Sequence, residues 1–387
     1  MHKILKLTAL TALLSTSALA QGSVKIGFVS TLSGPGSGLG VDARDGFNLA
    51  LRHLGNKFGG LNVDVSFSDD KQDADTARQA VEKAIKRDKV DFLTGIIFSN
   101  LMLAVGDTIF DSKTPYISLN AGPSQYAGKD CNPYFYNVAW QNDTLHEAMG
   151  KYVQSRKFDG VYLLAPNYPA GKDALTGFKR FYKGKVAAEI YTKVNQLDFA
   201  AEIAQIRAAR PKAVYTFQPG GSGINFIKQY AEAGLLKEIP LFLPGFSADA
   251  DVIKAVGPSM VGIFNTSQWT LELANDTNKK FVEDFRKTYN RTPSLYAAQG
   301  YDAALLMNEA VKDLKGNLGN DAAMRKALEN ATFTSTHGPF KMGANHYPIQ
   351  DIYLRQVAKK GNEVVNRQVG KVFTAHVDAY ARECKMK

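Results

Sequence analysis

The sequence predicts an α/β protein of two lobes, each a largely parallel sheet flanked by helices. Apolar, strand-like runs alternate with amphipathic stretches of helical period, beginning with VKIGFVST and DARDGFNLALRHL. Such alternation is typical of parallel sheets with helices on both faces. It also continues through most of the 387 residues, which is more than one hydrophobic core usually supports. We therefore expect two lobes.

Each predicted element follows from its own pattern. In the first half, LNVDVSFSD, DFLTGII and TPYISLN are expected strands, and DTARQAVEKAIKR and NLMLAVGDTIF are expected helices. The alternation starts again at LHEAMGKYVQ, with GVYLLAP, KVAAEIYTKV, KAVYTFQ and IPLFLPG as strands. The helices between them are ALTGFKRFYK, FAAEIAQIRAA and GINFIKQYAEAG, the last ended by Gly234. Two long helical stretches, NKKFVEDFRKTY and YAAQGYDAALLMNEAVKDL, precede the strand-like IQDIYLRQVAKKG and EVVNRQVGKVF.

Residues 1–20 have the features of a secretory signal peptide. Lys3 and Lys6 precede the short apolar run LTALTALL, and a small-x-small motif ends at Ala20. No cysteine follows the expected cut after Ala20, and no later apolar run reaches the ~18 residues that a membrane span needs. We therefore expect a protein exported to a bacterial periplasm without a stable membrane anchor.

The chain is basic, with a formal net charge of +10 that includes the two lysines of the leader. The basic residues are spread along the chain beside acidic ones, which is typical of a solvated surface that mildly favours anionic solutes. A basic stripe with interleaved aromatic residues is missing from the sequence, and the leader directs the chain out of the cytoplasm. We therefore do not expect nucleic acid as a partner.

Two glycine-rich stretches follow predicted strands, LSGPGSGLG at 32–40 and PGGSGINF at 219–226. Neither matches the dinucleotide fingerprint, because Leu39, Val41 and Phe226 stand where the pattern requires glycine. Neither contains the Gly-Lys-Ser/Thr of a phosphate loop or the G-x-S-x-G of a nucleophile elbow. The glycine-rich stretches therefore predict no bound nucleotide cofactor.

The histidines give no catalytic or metal-binding pattern. His146 precedes Glu147 but lacks the second histidine of H-E-x-x-H, so we expect it on a plain helix face. Four others are far apart, without a ligand-spaced partner, and are expected at the surface or in loops: His53, His337, His346 and His376. We predict no metal site and no enzyme, and a secreted hydrolase is a minor alternative.

Two cysteines occur, Cys131 in the loop-like KDCNPY and Cys384 near the end of the chain. An oxidising compartment favours a disulfide between them, and a pair of free thiols is the alternative. The disulfide would pin the C-terminal tail to the first lobe.

Small and polar residues follow the carboxyl ends of several predicted strands. In a parallel sheet these ends share one edge, where helix N-termini can hold an anion. Two such edges facing each other would form a cleft that closes on a solute. The segments concerned are 33–40, 98–100, 120–122, 167–168, 218–221 and 244–247.

Several segments, in their order along the chain, carry a resemblance to a known family. They are KIGFVSTLSGPGSGLG, FLTGIIFSN, TPYISLNAGPS, YFYNVAWQND, VYLLAPNYPAGKD, GINFIKQYAEAG and PSLYAAQGYDAALLM. The chain resembles periplasmic solute-binding proteins of the leucine/isoleucine/valine-binding type, which serve ABC importers. The resemblance implies two lobes joined by three crossovers, with hinge closure on the ligand. The first lobe would be 23–138 plus 268–339, the second 139–267 plus 340–377, and the tail 378–387.

The resemblance also implies a ligand pocket in the cleft. Ser99 matches a serine that binds the ligand carboxylate. Asn120 and Gly122 lie in the next loop, where backbone amides and a hydroxyl help to hold that carboxylate, and Gly122 lacks the hydroxyl. Leu39 matches a position that touches the ligand side chain, and Tyr168 matches an aromatic residue that covers the ligand.

Phe246 departs from the family's pattern. Members that bind α-amino acids have an acidic side chain after the strand written here as IPLFLPG, and it pairs with the ligand ammonium. Burying an ammonium without that carboxylate would cost several kcal/mol. Together with Tyr168, Tyr296 and Trp269, Phe246 instead favours an aromatic or otherwise hydrophobic carboxylate. Packing of Phe246 in the core below the loop is the alternative. Gly220 completes the expected pocket.

The resemblance thus predicts the substrate-binding component of an ABC importer, with an aromatic carboxylate as ligand and membrane permease subunits as partners. No cofactor is expected, and the protein is expected to be a monomer. The alternative is binding of a branched-chain amino acid or an amide, for transport or as a ligand-sensing receptor.

Overall fold

The computed structural model describes residues 22–386, so the expected signal peptide and its cleavage after Ala20 lie outside the described residues. A first sheet has its strands in the spatial order β2-β3-β1-β4-β5-β6, and every pairing except β2 with β3 is parallel. These strands are β1 (Val24–Ser30), β2 (Lys57–Phe58), β3 (Leu61–Asp69), β4 (Phe92–Thr94), β5 (Tyr116–Ser118) and β6 (Phe135–Asn137).

The later strands form a second sheet and a small hairpin. They are β7 (Val161–Pro166), β8 (Val186–Thr192), β9 (Ala213–Thr216), β10 (Leu241–Pro244), β11 (Phe264–Ser267), β12 (Thr334–Ser335), β13 (Gly338–Pro339), β14 (Gln350–Lys360) and β15 (Glu363–His376). The second sheet has the order β15-β14-β11-β10-β9-β7-β8, and β12 pairs with β13 alone. In the second sheet, the pairings of β14 with β11 and with β15 are antiparallel, and the other pairings are parallel.

Helices flank both sheets. They are α1 (Ser37–His53), α2 (Ala74–Glu82), α3 (Ser99–Asp111), α4 (Ser124–Ala127), α5 (Thr144–Ser155), α6 (Pro169–Phe181), α7 (Ala200–Ala209), α8 (Gly220–Glu232), α9 (Ala250–Val256), α10 (Asp276–Tyr289), α11 (Leu295–Asp313) and α12 (Asp321–Glu329). The predicted α/β class with two largely parallel sheets is therefore confirmed.

Helix α11 packs along α1, although their first residues are 258 positions apart in the sequence, and so belongs to the first lobe. Two glycines allow this close contact between the two helices. A Cβ atom on Gly46 would lie 1.8 Å from the carbonyl oxygen of Ala297, and one on Gly300 would lie 1.9 Å from that of Ala43. Three segments connect elements of one lobe with elements of the other: 138–143, 268–275 and 340–349. The exact lobe boundaries expected from the sequence stay a prediction.

Local chemistry explains where several helices begin and end. The side chains of Asp73, Asn275, Ser294 and Asn320 each accept a hydrogen bond from a backbone N–H in the first turn of α2, α10, α11 and α12. As expected, α8 ends just before Gly234, whose φ of 77° is a left-handed conformation that suits glycine.

The structure differs from the predicted elements at several places. Helix α1 begins at Ser37, so the second half of the glycine-rich stretch 32–40 is helical rather than a loop. The elements β6, α4, α9, β11 and α12 were not predicted, because three to nine residues carry too little periodicity. Among residues 22–386, no helix has the length and apolarity needed to cross a bilayer.

The C-terminal tail connects the two lobes. Cys131 and Cys384 form the disulfide that was predicted, and it joins the tail to the loop between α4 and β6. Between β15 and the disulfide, the hydroxyl of Tyr380 donates to Oδ2 of Asp143 (3.0 Å) and accepts from Nη2 of Arg180 (3.1 Å). The tail is therefore held to the second lobe by hydrogen bonds and to the first by a covalent bond.

Candidate functional site

A small cavity of about 30 Å³ lies between the two lobes, at the carboxyl ends of the parallel strands. Small-molecule sites usually have roughly 300–1,000 Å³, so the lining side chains or the lobes must move apart to admit a ligand. Among residues 22–386, no Asp, Glu, Lys or Arg side chain lines it. Six residues expected from the sequence line this cavity: Leu39, Ser99, Asn120, Tyr168, Phe246 and Tyr296.

The other expected residues lie beside the cavity or away from it. Gly220 borders it, since a Cβ atom there would lie 3.1 Å from Cδ1 of Leu39. Gly122 is not among the lining residues, and its N–H donates to Oδ1 of Asn142 (3.1 Å), which leaves no free amide at this position. Trp269 lies elsewhere, where its Nε1 donates to Oδ1 of Asn278 (2.7 Å).

Helix N-termini surround the cavity. Phe98, Tyr168 and Pro219 line it and are the N-cap residues of α3, α6 and α8, and Leu39 lies in the first turn of α1. The first N–H groups of a helix have no intrahelical acceptor, and this end carries a partial positive charge. The cavity can therefore attract an anion without a cationic side chain.

Ser99, the first residue of α3, belongs to a hydrogen-bond network that the sequence did not predict. Nδ2 of Asn142 donates to Oγ of Ser99 (3.1 Å) and to Oδ2 of Asp173 (2.9 Å). Because Oγ of Ser99 already accepts a hydrogen bond, its hydroxyl hydrogen is free to donate to a ligand. Asn142 lies in the quoted segment YFYNVAWQND, but no spacing in the sequence pairs it with Ser99.

The same network crosses the cleft. Asp173, in α6 of the second lobe, accepts hydrogen bonds from the backbone N–H (3.2 Å) and the hydroxyl (2.8 Å) of Ser124 in the first lobe. Burial raises the pKa of Asp173, and the hydrogen bonds from Asn142 and Ser124 oppose that shift. A second contact across the cleft joins the side-chain amides of Gln72 and Asn195. The structure is thus a closed arrangement of the two lobes.

Aromatic rings form one wall of the cavity. The ring of Phe246 lies 4.4 Å from that of Trp140 and 5.4 Å from that of Phe217, measured between centroids, and all three residues line the cavity. Phe246 therefore lines the cavity and also packs against its aromatic neighbours, and its contact with a ligand stays a prediction. An aromatic ligand can make edge-to-face or offset contacts with such a wall.

His146 also belongs to this wall, so the prediction of a plain helix face was wrong. The residue is 1% exposed, and its Nδ1 is hydrogen-bonded to the hydroxyl of Tyr215. Burial lowers the pKa of His146 to about 3, so the ring is neutral at physiological pH. His346 is likewise buried, stacked on Tyr136 with ring centroids 4.2 Å apart, although it lies in a loop as expected. Sequence spacing could not show what packs on either ring.

Two α/β lobes that enclose a cavity rimmed by helix N-termini define a solute-binding protein. The chain belongs to the family described as periplasmic binding protein, whose model matches residues 23–362. Leu/Ile/Val-binding protein homolog 6 from Brucella melitensis is 27% identical over an alignment of 374 positions, which covers 92% of this chain and 94% of the relative.

Two solved structures are also similar. An ABC transporter solute-binding protein from R. palustris, in complex with benzoate, has a TM-score of 0.89 and 31% identity, covering 94% of this chain and 100% of that one. A second, from Rhodopseudomonas palustris BisB5 in complex with 3,4-dihydroxybenzoic acid, has a TM-score of 0.88 and 26% identity, with coverage of 92% and 99%. The chain is therefore a solute-binding component of an ABC transporter.

Proposed function

We propose that the protein captures a small aromatic carboxylate in the cavity between its lobes for import by an ABC transporter. The observation that carries the proposal is Phe246, which lies in an aromatic wall of the cavity where an acidic residue would serve an amino acid. The complexes of similar proteins with benzoate and 3,4-dihydroxybenzoic acid support the same ligand class.

The two ends of such a ligand match different parts of the cavity. Its carboxylate can accept from the hydroxyl of Ser99 and from the free N–H groups at the start of α3, since charge-assisted hydrogen bonds are the stronger ones. Its ring can contact the aromatic wall of Trp140, Phe217 and Phe246.

A branched-chain amino acid is the alternative, and the names of relatives such as the Brucella protein favour it. Its ammonium would find no carboxylate among the lining residues. Cation–π attraction to Phe246 replaces an ion pair only in part, so this ligand would be bound weakly.

The remaining features of the proposal concern the protein's place in transport. We propose that the leader is removed after Ala20, that the mature monomer works in the periplasm, and that it delivers its ligand to membrane permease subunits without catalysing a reaction. The family's role as a binding component supports this. Mass spectrometry of the exported protein, with Gln21 as its first residue, checks the cleavage.

The ligand class is tested by thermal shift and calorimetric titration of the leader-free protein. Aromatic carboxylates without an amino group should raise the melting temperature more than leucine, valine or phenylalanine at equal concentration. Phe246→Glu should narrow or reverse that order, because it supplies the missing carboxylate. Phe67→Glu, at a phenylalanine that is 41% exposed on β3, is the matched control and should leave the order unchanged. Tight binding of leucine with no response to any aromatic acid would overturn the proposal.

A further inference from the structure

The hydrogen bond between His146 and Tyr215 determines which nitrogen of the imidazole carries the proton. Tyr215 lies in β9 and is fully buried, and its hydroxyl has no hydrogen-bond partner among residues 22–386 other than Nδ1 of His146. A hydroxyl group that has a single polar neighbour can form a hydrogen bond with its own hydrogen only by donating it to that neighbour. A neutral imidazole has one donor nitrogen and one acceptor nitrogen. Nδ1 is therefore the acceptor, and Nε2 carries the proton.

This N–H group is available to a ligand. The ring of His146 lines the cavity, and no residue in the described part of the chain hydrogen-bonds to Nε2. The ring packs between Phe217 (5.2 Å) and Phe246 (5.6 Å), measured between centroids, so the donor belongs to the aromatic wall. A donor in this wall would meet a substituent of the ligand's ring, whereas Ser99 and the start of α3 serve the carboxylate.

The cavity also contains an acceptor without a partner. Nδ2 of Asn120 donates to the carbonyl oxygen of Ile97 (2.7 Å), which fixes the orientation of the amide. Oδ1 of Asn120 is buried and has no hydrogen-bond partner within residues 22–386. Beyond its carboxylate-binding groups, the cavity therefore presents one donor and one acceptor.

We propose that the preferred ligand is a ring-hydroxylated aromatic carboxylate and that His146 is its specificity-determining residue, with Nε2–H donating to the ring hydroxyl. This inference rests on the proposed function and narrows its ligand class. Unsubstituted benzoate has no ring substituent that could accept from Nε2–H of His146. A ring hydroxyl has an oxygen that can accept this hydrogen bond.

Calorimetric titration with benzoate, the three monohydroxybenzoates and 3,4-dihydroxybenzoate tests the inference. At least one hydroxylated ligand should bind the unmodified protein about tenfold more tightly than benzoate, since a buried donor left without an acceptor is costly. His146→Phe should abolish that preference, so that benzoate and the hydroxylated ligand bind the variant with dissociation constants within about threefold of each other. His53→Gln, at a histidine outside the cavity, should keep the preference.

A second measurement needs no variant at the site. Nitrogen-15 NMR of the unmodified protein should show the His146 proton on Nε2, and that signal should move more on binding a hydroxybenzoate than on binding benzoate. A proton on Nδ1 would overturn the inference, as would equal affinity for benzoate and every hydroxybenzoate. In either case benzoate binding would still stand, whereas failure of all aromatic carboxylates to bind would overturn the proposed function itself.

Discussion

Among single residues, Ser99 is the one that we expect to bind the carboxylate of the ligand most directly. Its hydroxyl is free to donate because Oγ accepts from Asn142. Ser99→Ala should raise the dissociation constant for an aromatic carboxylate by about tenfold to a hundredfold, the usual effect of a hydrogen bond to a charged group. Calorimetric titration measures it, and the variant should stay folded because Asn142 keeps its hydrogen bonds to Asp173 and Gly122.

Ser112→Ala is the matched control for this variant. Ser112 lies at the opposite end of α3 and bonds to the carbonyl oxygen of Ile109. Its loss should leave ligand affinity unchanged. An unchanged dissociation constant for Ser99→Ala would remove Ser99 from the site.

His146 makes stability depend on pH in a defined direction. Burial lowers the pKa of His146 to about 3 in the folded protein, whereas an unfolded histidine has a pKa of ~6.5. Between these values the unfolded chain binds a proton that the folded protein does not, so acidification favours unfolding. His146→Phe should therefore gain stability relative to the unmodified protein as the pH falls from about 7 toward 4.

Urea unfolding of both proteins at about pH 7.5, 6 and 4.5 measures the difference in the free energy of unfolding. A difference that stays constant with pH would contradict the neutral, buried state of His146.

At the scale of elements, the connection between β6 and α5 links the start of α3 to the loop after β5. The side chain of Asn142 in this connection bonds to Ser99, Asp173 and the N–H of Gly122. Asn142→Ala would leave these buried groups without partners, so it should lower the free energy of unfolding by about 1–3 kcal/mol and weaken ligand binding as well.

Combined unfolding and titration experiments distinguish Asn142→Ala, which removes three hydrogen bonds of the network, from Ser99→Ala, which removes one and should destabilise the fold less. Asn330→Ala, at an exposed asparagine after α12, is the matched control and should change neither quantity. If Asn142→Ala binds the ligand normally, the network does not position Ser99.

For the whole molecule, the contacts across the cleft predict how closure and affinity are linked. Asp173 holds Ser124 of the opposite lobe with two hydrogen bonds. Asp173→Ala should reduce the population of the closed arrangement and raise the apparent dissociation constant in proportion. Small-angle X-ray scattering should show that ligand compacts the variant less than the unmodified protein, with the exposed Asp313→Ala as control. If Asp173→Ala and the unmodified protein show equal compaction and equal affinity, the contact between Asp173 and Ser124 does not contribute to closure.

The disulfide between the tail and the first lobe should contribute to the free energy of unfolding. Replacing both Cys131 and Cys384 with serine should lower the free energy of unfolding by about 2–5 kcal/mol, because the crosslink restricts the unfolded chain. The fold should persist, since Tyr380 still binds Asp143 and Arg180. Denaturant unfolding measures the loss, and thiol labelling of the native protein should find no free cysteine among residues 22–386. Two reactive thiols before reduction would contradict the crosslink.

The sequence by itself determined the α/β class, most of the longer helices and strands, and the edge of the sheets at which the cavity lies. These features depend on periodicity and on residues that are neighbours along the chain, such as Asp73 capping α2 or Gly234 ending α8. The positions of Ser99 and Phe246 at the cavity followed from the family resemblance and the order of strand ends.

Only the tertiary structure decided which polar groups at the cavity are free to meet a ligand. The N–H of Gly122 is occupied by Asn142, the hydroxyl of Ser99 is left free by the same side chain, and His146 is a neutral donor. The hydrogen-bond partners that set these states are 20, 43 and 69 residues apart along the chain. Such pairings depend on how helices, strands and loops that are distant in the sequence pack against one another, and no local pattern of residues records them.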